Sequence, residues 1–123
     1  MIEVKVIKKF INILPIQDLI NQNESLVDDI WFIIDNYVDG IDFSDWNWSL
    51  YYKTSLDNGY TVCLDSQYDS ENEKIKVHWL PNQSMTSKSG YMDIQIIGTK
   101  EIESELMRWS TAPASIHINS SLQ

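Results

Sequence analysis

Four aspartates, Asp35, Asp39, Asp42 and Asp45, crowd one turn region around Gly40. Oxygen ligands at that density are what a calcium ion needs. The spacing does not follow the EF-hand loop, and no bidentate glutamate comes at the right distance, so a solvated acidic loop is the better reading. A carboxylate pair for glycoside hydrolysis could be drawn from the same cluster, but no partner loop or cleft is visible. His78 and His117 fall on the polar faces of separate strands. With Asp93 they could hold a metal, yet nothing in the sequence makes them converge, and surface histidines are expected. Cys63 lies in an apolar strand, where it is expected to be a small buried hydrophobe; no local signature marks a catalytic thiol. There is no Gly-x-Ser-x-Gly elbow and no glycine-rich phosphate loop. The residues therefore point to a protein that is not an enzyme and needs neither metal nor cofactor.

Aromatic residues offer binding instead of catalysis. The chain has five tryptophans, and Trp46 and Trp48, two apart, share a face if extended. Exposed, they could stack on sugar rings; buried, they would be core or subunit-interface anchors, the environment tryptophan favours. Charge narrows the partners. Eighteen acidic against nine basic residues give a formal charge of −9, a poor match for nucleic acid or anionic lipid. The longest apolar run, residues 30–34, is far short of the ~20 residues that span a bilayer. Residues 1–9 interleave lysines with valine and isoleucine and do not read as a signal peptide. A lone cysteine excludes an internal disulfide and a thiolate zinc site.

The elements that must position these residues are mostly strands. In residues 74–80, Ile75, Val77 and Trp79 alternate with Lys74, Lys76 and His78, and Pro81 ends the run. Residues 91–97 alternate between Gly90 and Gly98, and residues 114–120 alternate around Ile116 and Ile118. Trp48, Leu50 and Tyr52 share a strand face ending at Lys53. Asp57-Asn58-Gly59 signals a hairpin turn, with residues 60–64 as the return strand. Residues 2–7 and 10–14 read as strands joined at Lys8-Lys9 and closed by Pro15. Residues 24–38 fit an amphipathic helix by spacing, although Trp31 to Ile34 is a β-prone run. Residues 101–108 favour helix by composition. Residues 65–73 and 82–89 read as long polar hairpin loops, and residues 17–23 as a loose connection. About seven or eight short strands at such intervals predict one all-β domain over residues 1–123, an antiparallel sandwich.

An ordered set of motifs runs through these strands. Ile30 to Ser44 includes Tyr37-Val38-Asp39-Gly40-Ile41-Asp42-Phe43-Ser44. A tyrosine strand, Ser49-Leu50-Tyr51-Tyr52, follows, then the Asn58-Gly59 turn and the strand Ile75 to Leu80 ending in Trp79. Thr86 to Gly90 leads into the apolar strand 91–97, and Trp109-Ser110-Thr111-Ala112-Pro113-Ala114 comes last. This order resembles domains in structural proteins of phages of Firmicutes, similar to the N-terminal domain of upper baseplate proteins and the domains at the head of tail or head fibres. The resemblance implies an Ig-like β-sandwich that docks onto a virion, and it implies a strand at residues 30–34. Asn36 stands where that family usually has an arginine. The family's long C-terminal fibre extension has no counterpart before Gln123, which favours a free-standing accessory piece.

The resulting expectation is a bacteriophage virion structural protein, decorating or connecting the capsid or the tail and baseplate. Its partners would be other virion proteins or further copies of itself, with neither nucleic acid nor membrane. The docking candidates are Val4, Val6, Phe10, Ile11 and Ile13, with Trp46 and Trp48. The opposing reading is that residues 2–14 complete the domain's own sheet. A carbohydrate-binding module aiding adsorption is the alternative function; an acidic antagonist that mimics nucleic acid is a third.

Overall fold

The computed structural model describes residues 1–54 and 59–121. In chain order the strands are β1 (Ile2–Ile7), β2 (Phe10–Ile11), β3 (Ile30–Asp35), β4 (Tyr37–Val38), β5 (Ile41–Asp42), β6 (Asn47–Thr54) and β7 (Tyr60–Asp69). They continue with β8 (Lys74–Trp79), β9 (Gly90–Ile102), β10 (Glu105–Ser110) and β11 (Ala114–Ile118). A 3-10 turn spans Leu14–Ile16, and one short helix, α1, spans Gln83–Thr86. The fold is an all-β sandwich made by curling one sheet, in the order β10-β9-β6-β7-β8-β3-β1-β2, with β11 also on β9.

The curl happens in β7. Residues 60–64 pair with β6, while residues 65–69 pair with β8. One layer is β2-β1-β3-β8 with the second half of β7; the other is the first half of β7 with β6, β9, β10 and β11. Period-two alternation then fills one core between them. Val4, Val6, Ile30, Phe32, Ile34, Ile75, Val77 and Trp79 come from the first layer. Trp48, Leu50, Met92, Ile94, Ile96, Ile116 and Ile118 come from the second. The far side is closed by the segment after β2. His117 N–H donates to Gln17 (2.9 Å), Asn119 N–H to Ile20 (2.9 Å) and Ala112 N–H to Lys9 (2.7 Å). Residues 17–23 are thus held against β11 and are not a loose connection.

Residues 30–34 form a strand, as the resemblance implies. Five expectations change. The sheet is mixed, because β1 lies parallel to β3; the long connection between β2 and β3 gives the chain room to return to the same end. Residues 10–14 give only a two-residue strand before the 3-10 turn, where Pro15 occupies a first-turn position that needs no N–H. Residues 65–69 are strand, and the β7–β8 turn is short. Asp69 makes that turn by accepting the N–H groups of Glu71 (3.2 Å) and Asn72 (3.3 Å). Residues 101–108 are not helical: β9 runs through Gly98 to Ile102 and turns back at Glu103-Ser104. Both turn residues have positive φ, 50° and 68°, the geometry of a two-residue hairpin turn that matches strand twist. Residues 82–89 contain α1, capped by the Asn82 side chain accepting from Met85 N–H at 3.2 Å. Asp57 and Asn58 of the expected hairpin turn lie outside the described residues, but β6 and β7 do pair antiparallel up to Tyr52 opposite Tyr60.

Two predictions follow from this packing. Trp79 is fully buried and stacked near Phe32, with ring centroids 5.9 Å apart. Trp79→Ala should cost ~3–5 kcal/mol in denaturant unfolding; a loss below ~1 kcal/mol would mean that this face is not core. Deleting residues 2–14 should unfold the chain, read by loss of the β-sheet circular dichroism signal, because β1 supplies core residues and a central ladder.

Candidate functional site

The strand directions bring several connections to one end of the sandwich. The β1–β2 turn, the loops around β4 and β5, the β7–β8 turn and the β9–β10 hairpin all fall there. The aspartate cluster belongs to this end, and three of its four carboxylates, those of Asp35, Asp42 and Asp45, turn to separate partners. Asp35 pairs with Lys74. Asp45 receives Lys100 Nζ on both oxygens, at 2.8 and 2.7 Å. Asp42 accepts the Ser44 N–H at 2.9 Å, and that bond holds its carboxyl below the ordinary carboxylate range. Among the described residues, no group of three or more His, Cys, Asp or Glu side chains is arranged to hold a metal. Instead the carboxylates brace loops. Asn36 is buried, donating its N–H to Glu73 and accepting from Phe43 N–H, both at 2.9 Å, so three loops are tied at one residue.

The proposed docking residues are placed unevenly. Val4, Val6 and Ile11 are buried in the domain's own core, and Ile13 packs against it. Trp46 and Trp48 are also buried. Phe43 meets Trp46, Trp48 and Trp109 at centroid distances of 4.8, 5.5 and 5.1 Å. The physical reason is Gly98, paired with Trp48 on one side and Trp109 on the other. Having no side chain, it leaves room for both indoles; an added Cβ would lie 2.8 Å from the Trp48 ring. These tryptophans are therefore core, and neither a sugar platform nor a docking anchor can use them. Phe10 is 68% exposed, the one residue of the proposed set that faces solvent.

Other exposed apolar side chains carry what the sequence reading did not single out. Ile7 pairs directly with Phe10 across the hairpin and is 61% exposed. Leu14 is exposed in the 3-10 turn, and Leu106 is exposed on the β9–β10 hairpin. The signal available was alternation: Ile7 is out of phase with Val4 and Val6. Cys63 is exposed, contrary to expectation, because its neighbours Val62 and Leu64 take the inward positions.

The histidines stay apart. His78 stacks on Trp31, with centroids 4.2 Å apart and planes 13° from parallel. Its Nε2 lies 2.5 Å from Asp29, which also accepts Trp31 Nε1–H at 3.0 Å. The His78 contact is the main reason the Asp29 carboxyl sits below its ordinary pKa. His117 packs on Tyr91 and faces Asn119 and Asp18, while Asp93 bonds Ser115. At the opposite end, Tyr52, Tyr60, Ser84, Met85 and Ser87 help line an open cleft of about 390 Å³. Its two tyrosine rings are 5.8 Å apart.

Comparison with protein-family models and with curated proteins finds no match for this chain. Among solved structures the fold is similar to the N-terminal domain of phage TP901-1 ORF48, with a TM-score of 0.54. That likeness covers 97% of this chain and 94% of the other, at 10% sequence identity. It is a likeness of fold, extending from end to end of both domains.

Two outcomes are expected from the site geometry. A chelator should leave the melting temperature unchanged; a drop of several degrees would show that the aspartate loops hold a cation. Acid should destabilise the protein. Asp29, Asp42 and Asp69 all have carboxyl pKa values below the ordinary one. Each contributes stability above the unfolded pKa of ~4 and loses it as pH falls through the lower folded value. Melting temperature should therefore fall progressively below pH ~4, and Asp69→Asn should flatten that fall.

Proposed function

We propose that this chain is a bacteriophage virion structural protein, a small accessory β-sandwich that joins the particle by protein–protein contact. The observation that carries this reading is the end-to-end likeness of fold to a domain of a phage protein. The ordered motifs from Ile30 to Ala114, which resemble docking domains of phage structural proteins, point the same way. The chemistry agrees: Asp35, Asp42, Asp45 and Asp69 brace loops, and exposed Ile7, Phe10 and Leu106 sit on hairpins. A negative surface suits selective protein contact better than phosphate binding. Its place on the particle would be the capsid or the tail and baseplate, with no catalytic step of its own.

The test is mass spectrometry of purified particles with copy-number estimation. Hundreds of copies would assign the protein to the capsid, and a few or a dozen to the tail or baseplate. Absence from particles would defeat the proposal. Carbohydrate binding keeps one supporting observation, the cleft that includes Tyr52 and Tyr60, since tyrosine faces stack on sugars. Glycan titrations followed by intrinsic fluorescence address it. Saturable binding abolished by Tyr60→Ala would favour this second reading over a purely structural role.

A further inference from the structure

The β9–β10 hairpin reaches past the sheet that carries it. β6 accompanies β9 only as far as Asn47 opposite Thr99. Beyond that point residues 100–107 are a two-stranded ribbon, and β10 is the end of the strand order. The ribbon carries exposed apolar side chains among its charges on both faces. Ile102 and Met107 point to the side that continues the core, and Leu106, 67% exposed, points to the other. Its base is fixed by the Lys100–Asp45 ion pair and by Trp109 in the core. A preorganised ribbon with a free edge and exposed apolar side chains is a template for pairing and is ordinarily guarded. Here the guards are Glu101, Glu103 and Glu105.

A second apolar patch lies at the same end of the molecule. Ile7 and Phe10 form a cross-strand pair on the β1–β2 hairpin, and the turn between them is Lys8-Lys9. The backbone bond from Ala112 N–H to Lys9 ties this corner to the chain just after β10. Among the described residues, none of Lys8, Lys9, Glu101, Glu103 or Glu105 has an ionic partner. One apolar patch is therefore rimmed with unpaired positive charge; the other carries three unpaired glutamates against one arginine, Arg108, at its base, a net negative charge.

From this complementarity we infer that the occupant of both patches is a second copy of the chain. Two copies meeting end to end about a twofold axis place each acidic hairpin on the other's basic corner. That is an isologous contact, in which every interaction occurs twice. A chain of charge −9 repels itself at long range, so association needs a local pairing of opposite charge, and Lys8 and Lys9 against the glutamates provide it. The inference does not rest on the virion reading, because it concerns the isolated protein.

Sedimentation equilibrium on the full chain tests it. The wild type should dimerise reversibly, more weakly as salt rises. Leu106→Lys should leave the circular dichroism spectrum unchanged and raise the dissociation constant more than about tenfold. The pair Lys8→Glu with Lys9→Glu should weaken the dimer similarly, as should Glu103→Lys with Glu105→Lys. All four changes in one chain should restore it, since the charges are exchanged but still complementary. A wild type that sediments only as monomer would overturn the inference, as would a dimer indifferent to Leu106→Lys or a fourfold variant as weak as its parents.

Discussion

Everything else in this fold depends on β7 belonging to two layers. A single ten-residue strand gives its first half to β6 and its second half to β8, so the two layers cannot separate without breaking a continuous backbone. The bend sets the distance at which inward residues of β3 and β8 meet those of β6 and β9. It also sets which connections arrive together: once β7 turns the corner, the β7–β8 turn lies beside the β9–β10 hairpin and the β1–β2 corner. Side chains contribute little to this strand, whose second half is exposed except at Asp69. The ladder and the Asp69 turn hold it.

The aromatic group around Gly98 does for the loop end what the aliphatic core does for the middle. Phe43, Trp46, Trp48 and Trp109 come from three separate parts of the chain and meet edge to face or tilted. The indole N–H groups of Trp48 and Trp109 are buried without an acceptor. Each such omission costs ~1–3 kcal/mol, whereas an edge-to-face pair gains only ~0.5–1.5 kcal/mol beyond burial. Apolar area must make up the difference: fully burying one large apolar side chain stabilises by ~1.5–3 kcal/mol, and four aromatic rings are buried here. The cluster is thus held by burial, and the loops anchored to it inherit its rigidity.

What the sequence revealed follows the same division. Residues 74–80 and 91–97 were legible because one face of each is fully buried, so alternation was strict. Residues 65–69 were not, since a strand exposed on both faces has no alternation to display. Residues 101–108 misled for a related reason. With no burial to override propensity, glutamate, leucine and methionine look helical, and a left-handed turn made by Glu103-Ser104 carries neither glycine nor asparagine to announce it. Trp46 and Trp48 were open between core and surface because only the pairing partner decides, and the partner is a glycine fifty residues away from Trp48. Ile7, Phe10 and Leu106 became visible as surface only when the layers were in place.

The distribution of charge shows what the carboxylates at this end do for the fold. Catalysis would need carboxylates converging on one point, with the repulsion between them stored in raised pKa values. At this end the opposite is found: Asp42 and Asp69 are each satisfied by turn N–H groups and lie below their ordinary pKa, and Asp35 and Asp45 each hold a lysine. Asp42 and Asp69 in that state resist protonation. Their work is to fix loop geometry. Among the described residues, Lys8, Lys9 and the three hairpin glutamates sit outside that network, on the hairpins that carry Ile7, Phe10 and Leu106. Rigid loops, apolar contacts and uncommitted charge are what a specific protein interface requires, and this sandwich concentrates all three at one end.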